Sequence, residues 1–317
     1  DHKGMSATLM FFKGLLEKLN IDLQIFRLGK FKSAIEPFTL EKMSNSNREQ
    51  VKLMLNSINN NIIDSISSQR KISKNKIHQD ANQLKLSSAK ICLEENYVDG
   101  ILYEDQVKDT LELLLGEDKL KLISLKKYSN VKTKKKEISR NKIAVIYANG
   151  GINSGKGDEN SIGSITTSKA IEKARGDKKV KAIVLRVNSG GGSALASDVI
   201  WRETILAKKN KPLVVSFGDV AASGGYYIAC AADKIIANPT SITGSIGVFG
   251  MIPNMNDFYK SNFGITFDTV KTNDYADMGI YRKLTSFERQ KIQQGIKEVY
   301  ETFITKVGEG RGISKKQ

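Results

Sequence analysis

Residues 48–74 match residues 289–315 without a gap, 241 positions further along the chain. Arg48 falls on Arg289, Val51 on Ile292, Leu55 on Ile296, Ile62 on Phe303, Ile66 on Val307 and Arg70 on Arg311. The apolar positions recur at steps of three and four, so each copy predicts an amphipathic helix ending near its Arg-x-Ile-Ser sequence. Upstream, at an offset of 244, Asn20–Leu23 fall on Gly264–Phe267, and Phe31 falls on Tyr275. A self-match at this spacing means one domain used twice, and it constrains the fold more than any single motif.

The copies are cropped differently. Residue 1 corresponds to about residue 245, so the first copy is expected to lack its opening strands. The second stops at Gln317, where the first runs on through Tyr97-Val98-Asp99-Gly100 to Gly116. The chain reads as an internal segment of a longer protein, with any leader or membrane anchor before residue 1. The expected division is a first repeat over 1–126, a charged linker over 127–141 and a second repeat over 142–317.

The second copy alternates between two periods. Apolar, β-branched runs predict strands over 142–147, 182–187 and 213–217; helices are predicted over 168–175 and 194–209, and another opens at Ser223. Alternating strands and helices define an α/β fold with a largely parallel sheet, whose sites gather at the strand ends. No run of 18 apolar residues occurs. Cys92 and Cys230 lie far apart among apolar residues, without metal-ligand spacing, and are expected to be free, buried thiols. The net charge of +16 comes mostly from lysines spread along the chain. With no zinc-finger spacing and no aromatic-rich RNA-binding strand, it describes a solvated surface or a face for anionic lipid, and not a nucleic-acid binder.

Chemistry concentrates at two glycine-rich turns. Ala221-Ala222-Ser223-Gly224-Gly225-Tyr226 follows a buried strand and opens a helix. A serine there is ordinarily an N-cap, but the small neighbours leave room for a substrate backbone, and the Gly224 amide can face the same point as the serine oxygen. Asn188-Ser189-Gly190-Gly191-Gly192-Ser193 lacks the spacing of either phosphate-binding glycine motif. Its amides can supply the second donor of an oxyanion hole. The histidines are only His2 and His78, which disfavours a Ser-His-Asp triad, and the G-x-S-x-G elbow is absent. The base left is a lysine, whose pKa must fall from about 10.4 towards about 7–8. Composition alone does not single one out of 50 Lys and Arg residues.

Four blocks in order resemble the signal peptide peptidases of bacteria (protease IV family, long two-repeat form): Arg186–Ser193, Ala221–Tyr226, Thr243-Gly244-Ser245-Ile246-Gly247-Val248, and Lys30-Phe31-Lys32-Ser33-Ala34-Ile35-Glu36-Pro37-Phe38. The resemblance covers essentially the whole chain. It implies a ClpP/crotonase-like fold in each repeat, Ser223 as nucleophile, Lys32 as general base with Lys30 as its rival, Ser245 orienting the lysine amine, and Gly191 with Gly224 as oxyanion donors. Lys32 falls on Ala276 in the second copy, so the copies divide the dyad. The family usually has proline where this chain has Gly190, which loosens the turn before Gly191. Trp201, Val248, Phe249 and Met251 are expected in the core or lining substrate pockets.

The implied activity is a serine endopeptidase that degrades cleaved signal peptides, at the bacterial inner membrane and facing the periplasm. No metal or cofactor is called for. The implied partners are peptides, the membrane surface through an anchor outside this segment, and further copies of the chain, taken as a tetramer. The rival readings are an inactive crotonase-fold scaffold or peptide-binding module, and a crotonase-like acyl-CoA enzyme.

Overall fold

The structure, a computed structural model, describes residues 3–29, 31–116, 119–129 and 140–314. His2, Lys30 and most of the expected linker lie outside the described residues. In chain order the elements are α1 (Lys13–Lys18), β1 (Asp22–Arg27), a 3-10 turn (Ser33–Ile35), α2 (Glu36–Thr39) and α3 (Asn45–Arg70). Then come α4 (Lys74–Asn82), α5 (Ala89–Glu94), α6 (Glu104–Leu115) and α7 (Leu125–Ser129). The second copy supplies β2 (Lys142–Asn149), β3 (Gly151–Asn153), β4 (Ser161–Gly163), α8 (Ser164–Gly176), β5 (Val180–Ser189), α9 (Ala194–Lys208), β6 (Leu213–Ala222) and α10 (Gly224–Ala229). It closes with β7 (Lys234–Ile236), β8 (Ile242–Gly244), β9 (Phe249–Asn254), α11 (Asn256–Phe263) and α12 (Ser286–Arg311).

The sheet is parallel, in the order β2-β5-β6-β7, with β8 beside the far end of β6. Each strand extends beyond its apolar run, and β6 carries on to Ala222, which delivers Ser223 at its carboxyl end. Alternate residues Ile183, Leu185 and Val187 of β5 and Leu213 and Val215 of β6 point into one core with Ile171, Ile200 and Ile228 of the helices. On the other face Ile143, Val145 and Tyr147 of β2 are exposed. Cys230 is buried in a smaller cluster with Tyr227, Phe303 and Val307. Cys92, expected to be buried, is half-buried, because the short helix α5 that carries it buries none of its residues.

The duplication reappears in the elements. Helices α3 and α12 both have 26 residues and end at Arg70 and Arg311. Beyond them Lys71 and Gly312 both take left-handed φ angles, +58° and +65°. A capping box starts α12: Thr285 Oγ1 accepts the Glu288 amide, and the Glu288 carboxylate accepts the Thr285 amide. At the start of α3, Ser44 Oγ accepts the Asn47 amide, and the carboxylate comes instead from Glu36.

The compact units do not follow the repeats. One comprises residues 1–6 and 56–140, the other residues 7–55 and 141–317. The first is helical, with Ile63, Ile72 and Ile77 at its centre. The second takes in the early part of the first copy because β1 pairs antiparallel with β9, from Asp22 opposite Asn254 to Arg27 opposite Phe249.

Candidate active site

Ser223 does not cap its helix. It sits between β6 and α10 with φ +52° and ψ −119°, a conformation that a non-glycine residue adopts only under constraint, and its side chain makes no capping hydrogen bond. The constraint is visible: its amide donates to Gly244 O of β8 at 2.9 Å, and its carbonyl accepts the Tyr227 amide at 2.9 Å. The strained turn turns Oγ away from the helix and towards Lys32.

Lys32 Nζ lies 3.3 Å from Ser223 Oγ, 3.0 Å from Ser245 Oγ and 3.2 Å from Ser245 O. All three residues belong to the second compact unit. The lysine stem passes over Gly247, where an added Cβ would meet Cδ at 3.2 Å. Burial pushes the Lys32 amine below its ordinary value. A neutral amine has two N–H donors and one lone pair, matching two acceptors on Ser245 and one hydroxyl donor on Ser223.

The two glycine turns meet at this point. A Cβ on Gly191, which has φ +100°, would stand 2.6 Å from Gly224 N and 2.9 Å from Ser223 Cβ; one on Gly224 would stand 2.6 Å from Ser197 Oγ. Only glycines let these backbones approach so closely. Gly191, expected as an oxyanion donor, directs its amide to Ser189 Oγ at 3.1 Å. Beside Ser223 a cavity of about 240 Å³ is lined by Tyr227, Val248, Phe249, Val299 and Phe303 among others. Val248 and Phe249 thus face the site, whereas Met251 lies in β9 opposite Ile25 and Trp201 packs under Lys306, whose Nζ is 3.6 Å from the ring centroid.

Two contributors were not read from the sequence. Phe303 reaches the cavity from α12 and carries no local signal. Glu36 is buried four residues beyond Lys32 and accepts hydrogen bonds from the Ser44 amide (3.1 Å), Ser44 Oγ (2.6 Å) and Asn47 Nδ2 (2.9 Å). Burial works against its ionisation, but these hydrogen bonds outweigh it and hold the carboxyl below its ordinary value. Glu36 thereby fastens the turn after Lys32 to the start of α3. Glu36→Ala is expected to slow acylation about 100-fold and to raise the pH midpoint of serine labelling as Lys32 becomes better hydrated. Glu36→Gln, which keeps an acceptor, should recover most of the rate. Equal loss in both variants with an unmoved midpoint would make Glu36 a stability residue only.

Among the described residues no group of His, Cys, Asp or Glu could hold a metal ion, and no helix is long and apolar enough to cross a membrane. A strained serine at a parallel-strand end, touching a partly desolvated lysine, is an arrangement that suits a serine hydrolase. The profile of peptidase family S49 matches residues 1–117 and 205–317. The chain belongs to that family, which is of the signal peptide peptidase type. The match in two segments follows the duplication.

The chain is 37% identical to Protease 4 of Salmonella typhi over 100% of its own length and 53% of the relative's. It is 36% identical to Protease 4 of Haemophilus influenzae, again over all of this chain and 54% of that one. It is 34% identical to the chloroplastic serine protease SPPA of Arabidopsis thaliana, over 98% of this chain and 47% of the relative. The chain thus spans about half the length of these relatives. Among solved structures, a ClpP1 variant from Listeria monocytogenes superposes with a TM-score of 0.32 at 15% identity, over 55% of this chain and 75% of that one.

Proposed function

We propose that this protein is a serine endopeptidase in which Ser223 and Lys32 form the catalytic dyad. The observation that carries the reading is the Lys32 amine, half-buried and within 3.3 Å of an oxygen on a strained turn. Neutral Lys32 donates to Ser245 O and Oγ and accepts the Ser223 hydroxyl proton as Oγ attacks the substrate carbonyl carbon. A C–O bond forms and the carbonyl becomes an oxyanion. On collapse the C–N bond breaks, and Lys32 returns its proton to the leaving amine. Water then hydrolyses the ester, with Lys32 again as base.

The oxyanion is held by the amides of Gly224 and Gly191. For Gly191 this requires the Gly190–Gly191 peptide to rotate off Ser189 Oγ, a motion left open by the glycine at 190. The cavity lined by Val248, Phe249 and Phe303 suits one apolar side chain of an extended peptide. Cleaved signal peptides fit that description, and a relative in Enterococcus faecium, 37% identical over 145 residues, carries the name putative signal peptide peptidase SppA. We extend the reading to a membrane-associated enzyme acting on the extracytoplasmic side of the bacterial inner membrane. The family resemblance supports it, and a net charge of +16 suits an anionic lipid surface.

Mass spectrometry of the full-length protein after fluorophosphonate treatment tests the nucleophile. One adduct on Ser223, absent from Ser223→Ala together with peptide cleavage, is expected. Cleavage that survives Ser223→Ala defeats the proposal.

A further inference from the structure

Behind the cavity beside Ser223 lies a polar cluster that the dyad does not use, and Tyr227 of α10 touches both. Its amide donates to Ser223 O, its ring lines the cavity and packs on Phe303 with centroids 4.6 Å apart, and its hydroxyl donates to Asp198 Oδ1 of α9 at 2.7 Å. The same Asp198 oxygen accepts from Lys306 of α12. Lys306 Nζ also stands 3.6 Å from the centroid of the Trp201 ring and 5.4 Å from that of Tyr227. Val299, Phe303 and Lys306 follow one another at steps of four and three, so they share one face of α12. The first two of them line the cavity.

The Lys306 side chain is only 15% exposed. An ammonium so far from water is held by its carboxylate partner and by the ring faces. For stability alone an apolar residue of similar volume serves as well as such an ion pair. What the charges add is direction, since one oxygen fixes the Tyr227 hydroxyl and the Lys306 amine at a single point. Burial first, and the Asp198 carboxylate second, push the Tyr227 phenol far above its ordinary value, so it donates to Asp198 at any working pH. The duplication sharpens the assignment. Lys306 falls on Ser65 of the first copy, an exposed residue of α3 whose Oγ bonds back to Asn61 O at 2.8 Å. Phe303 falls on Ile62, which is exposed. Of the two matched positions, the cation stands in the copy that bears the serine.

We propose that Asp198 and Lys306 determine the side-chain specificity of the site: together they hold Tyr227 and Phe303 as a fixed far wall of the cavity, and so set how large an apolar side chain a peptide substrate can place there. The proposal rests on the peptidase reading. Neither residue belongs to the dyad. Both act through Tyr227 and α12, and are positioning residues.

The test is kcat/KM of the full-length protein on two peptides that differ only in leucine or 2-naphthylalanine before the scissile bond. Lys306→Met keeps the stem over Trp201 and loses the charge; Asp198→Ala releases both Lys306 and the Tyr227 hydroxyl. Each should raise the naphthylalanine-to-leucine ratio about 10-fold. The double variant should move it no further than Asp198→Ala alone, because both changes break one shared contact. Lys306→Arg, which can still pair with Asp198 and stack on Trp201, should keep the ratio close to that of the wild type. A ratio that neither single variant moves, equal losses on both peptides, or shifts that add in the double variant would each overturn the proposal. The peptidase reading fails separately, by the absence of a fluorophosphonate adduct on Ser223 in the wild type. In that event dissociation constants of the same two peptides for Ser223→Ala, measured by fluorescence anisotropy with and without Lys306→Met, supply the ratio, and an unmoved ratio again overturns the proposal.

Discussion

Lys32→Met is expected to abolish peptide cleavage without lowering stability. Methionine keeps the length and apolar stem that lie over Gly247 but offers no lone pair basic enough to take the Ser223 proton. The loss of general-base assistance corresponds to roughly 10²–10⁴ in acylation rate. Stability behaves differently because the hydrogen-bond partners of the Lys32 amine are oxygens of Ser223 and Ser245, and burial holds its pKa below the ordinary value. Between the folded-state pKa and the ordinary one of about 10.4, the unfolded chain binds more protons at this position than the folded chain does. Stability from this group is therefore complete above the unfolded value and is lost as pH falls through the folded one. Methionine removes that dependence. Urea midpoints at about neutral pH should be equal or higher in the variant, and wild-type labelling should rise with pH to a plateau reached below the ordinary lysine range. A variant that still cleaves, or a wild-type labelling rate independent of pH, would remove Lys32 from the mechanism.

Gly191→Ala is expected to lower stability far more than the same change at the neighbouring Gly190. Alanine at φ +100° is strained, and its Cβ would lie 2.6 Å from Gly224 N, 2.9 Å from Ser223 Cβ and 3.0 Å from Ala222 O. Two of these neighbours are backbone atoms, so the turn that carries Ser223 must shift. A cost on the order of 3 kcal/mol follows, seen as a melting temperature several degrees lower, together with loss of labelling at Ser223. The neighbouring position supplies the control: a Cβ on Gly190 meets nothing within 4 Å, so Gly190→Ala should melt within about a degree of wild type. Similar melting of both variants would mean that the two turns do not press together as described.

The parts of the fold that were legible in the sequence are those set by burial in the helix-covered core. The strands β5 and β6 are runs of Val, Ile and Leu because helices cover one side and neighbouring strands both edges, and their central residues were predictable. The repeat gave both long helices, including the position of their ends, since Arg70 and Arg311 close equivalent turns. What could not be read was tertiary pairing. β1 looks like any six-residue amphipathic run, and nothing local says that its partner lies in the other copy, so the compact units depart from the repeat boundaries.

The site divides in the same way. Ser223, Lys32 and Ser245 lie in sequence blocks and are brought together. The positive φ of Ser223 is imposed by Gly244 and Tyr227 and is invisible in its own neighbours, which is why an N-cap was the ordinary reading. Glu36 shows a different limit: the carboxylate is in the block, but its work depends on Asn47 standing where the other copy has Glu288.

The division of the dyad between the copies has a consequence in time. Lys32 and Ser223 are separated by 191 positions, so at ordinary rates of synthesis the proposed base is made about 10–40 s before the proposed nucleophile. The strand β9, which fastens the segment carrying Lys32 to the second copy, comes later still. On the proposed mechanism a nascent chain is inert for most of its synthesis, because the Ser223 oxygen meets Lys32 only once the segment holding β1 has paired with β9.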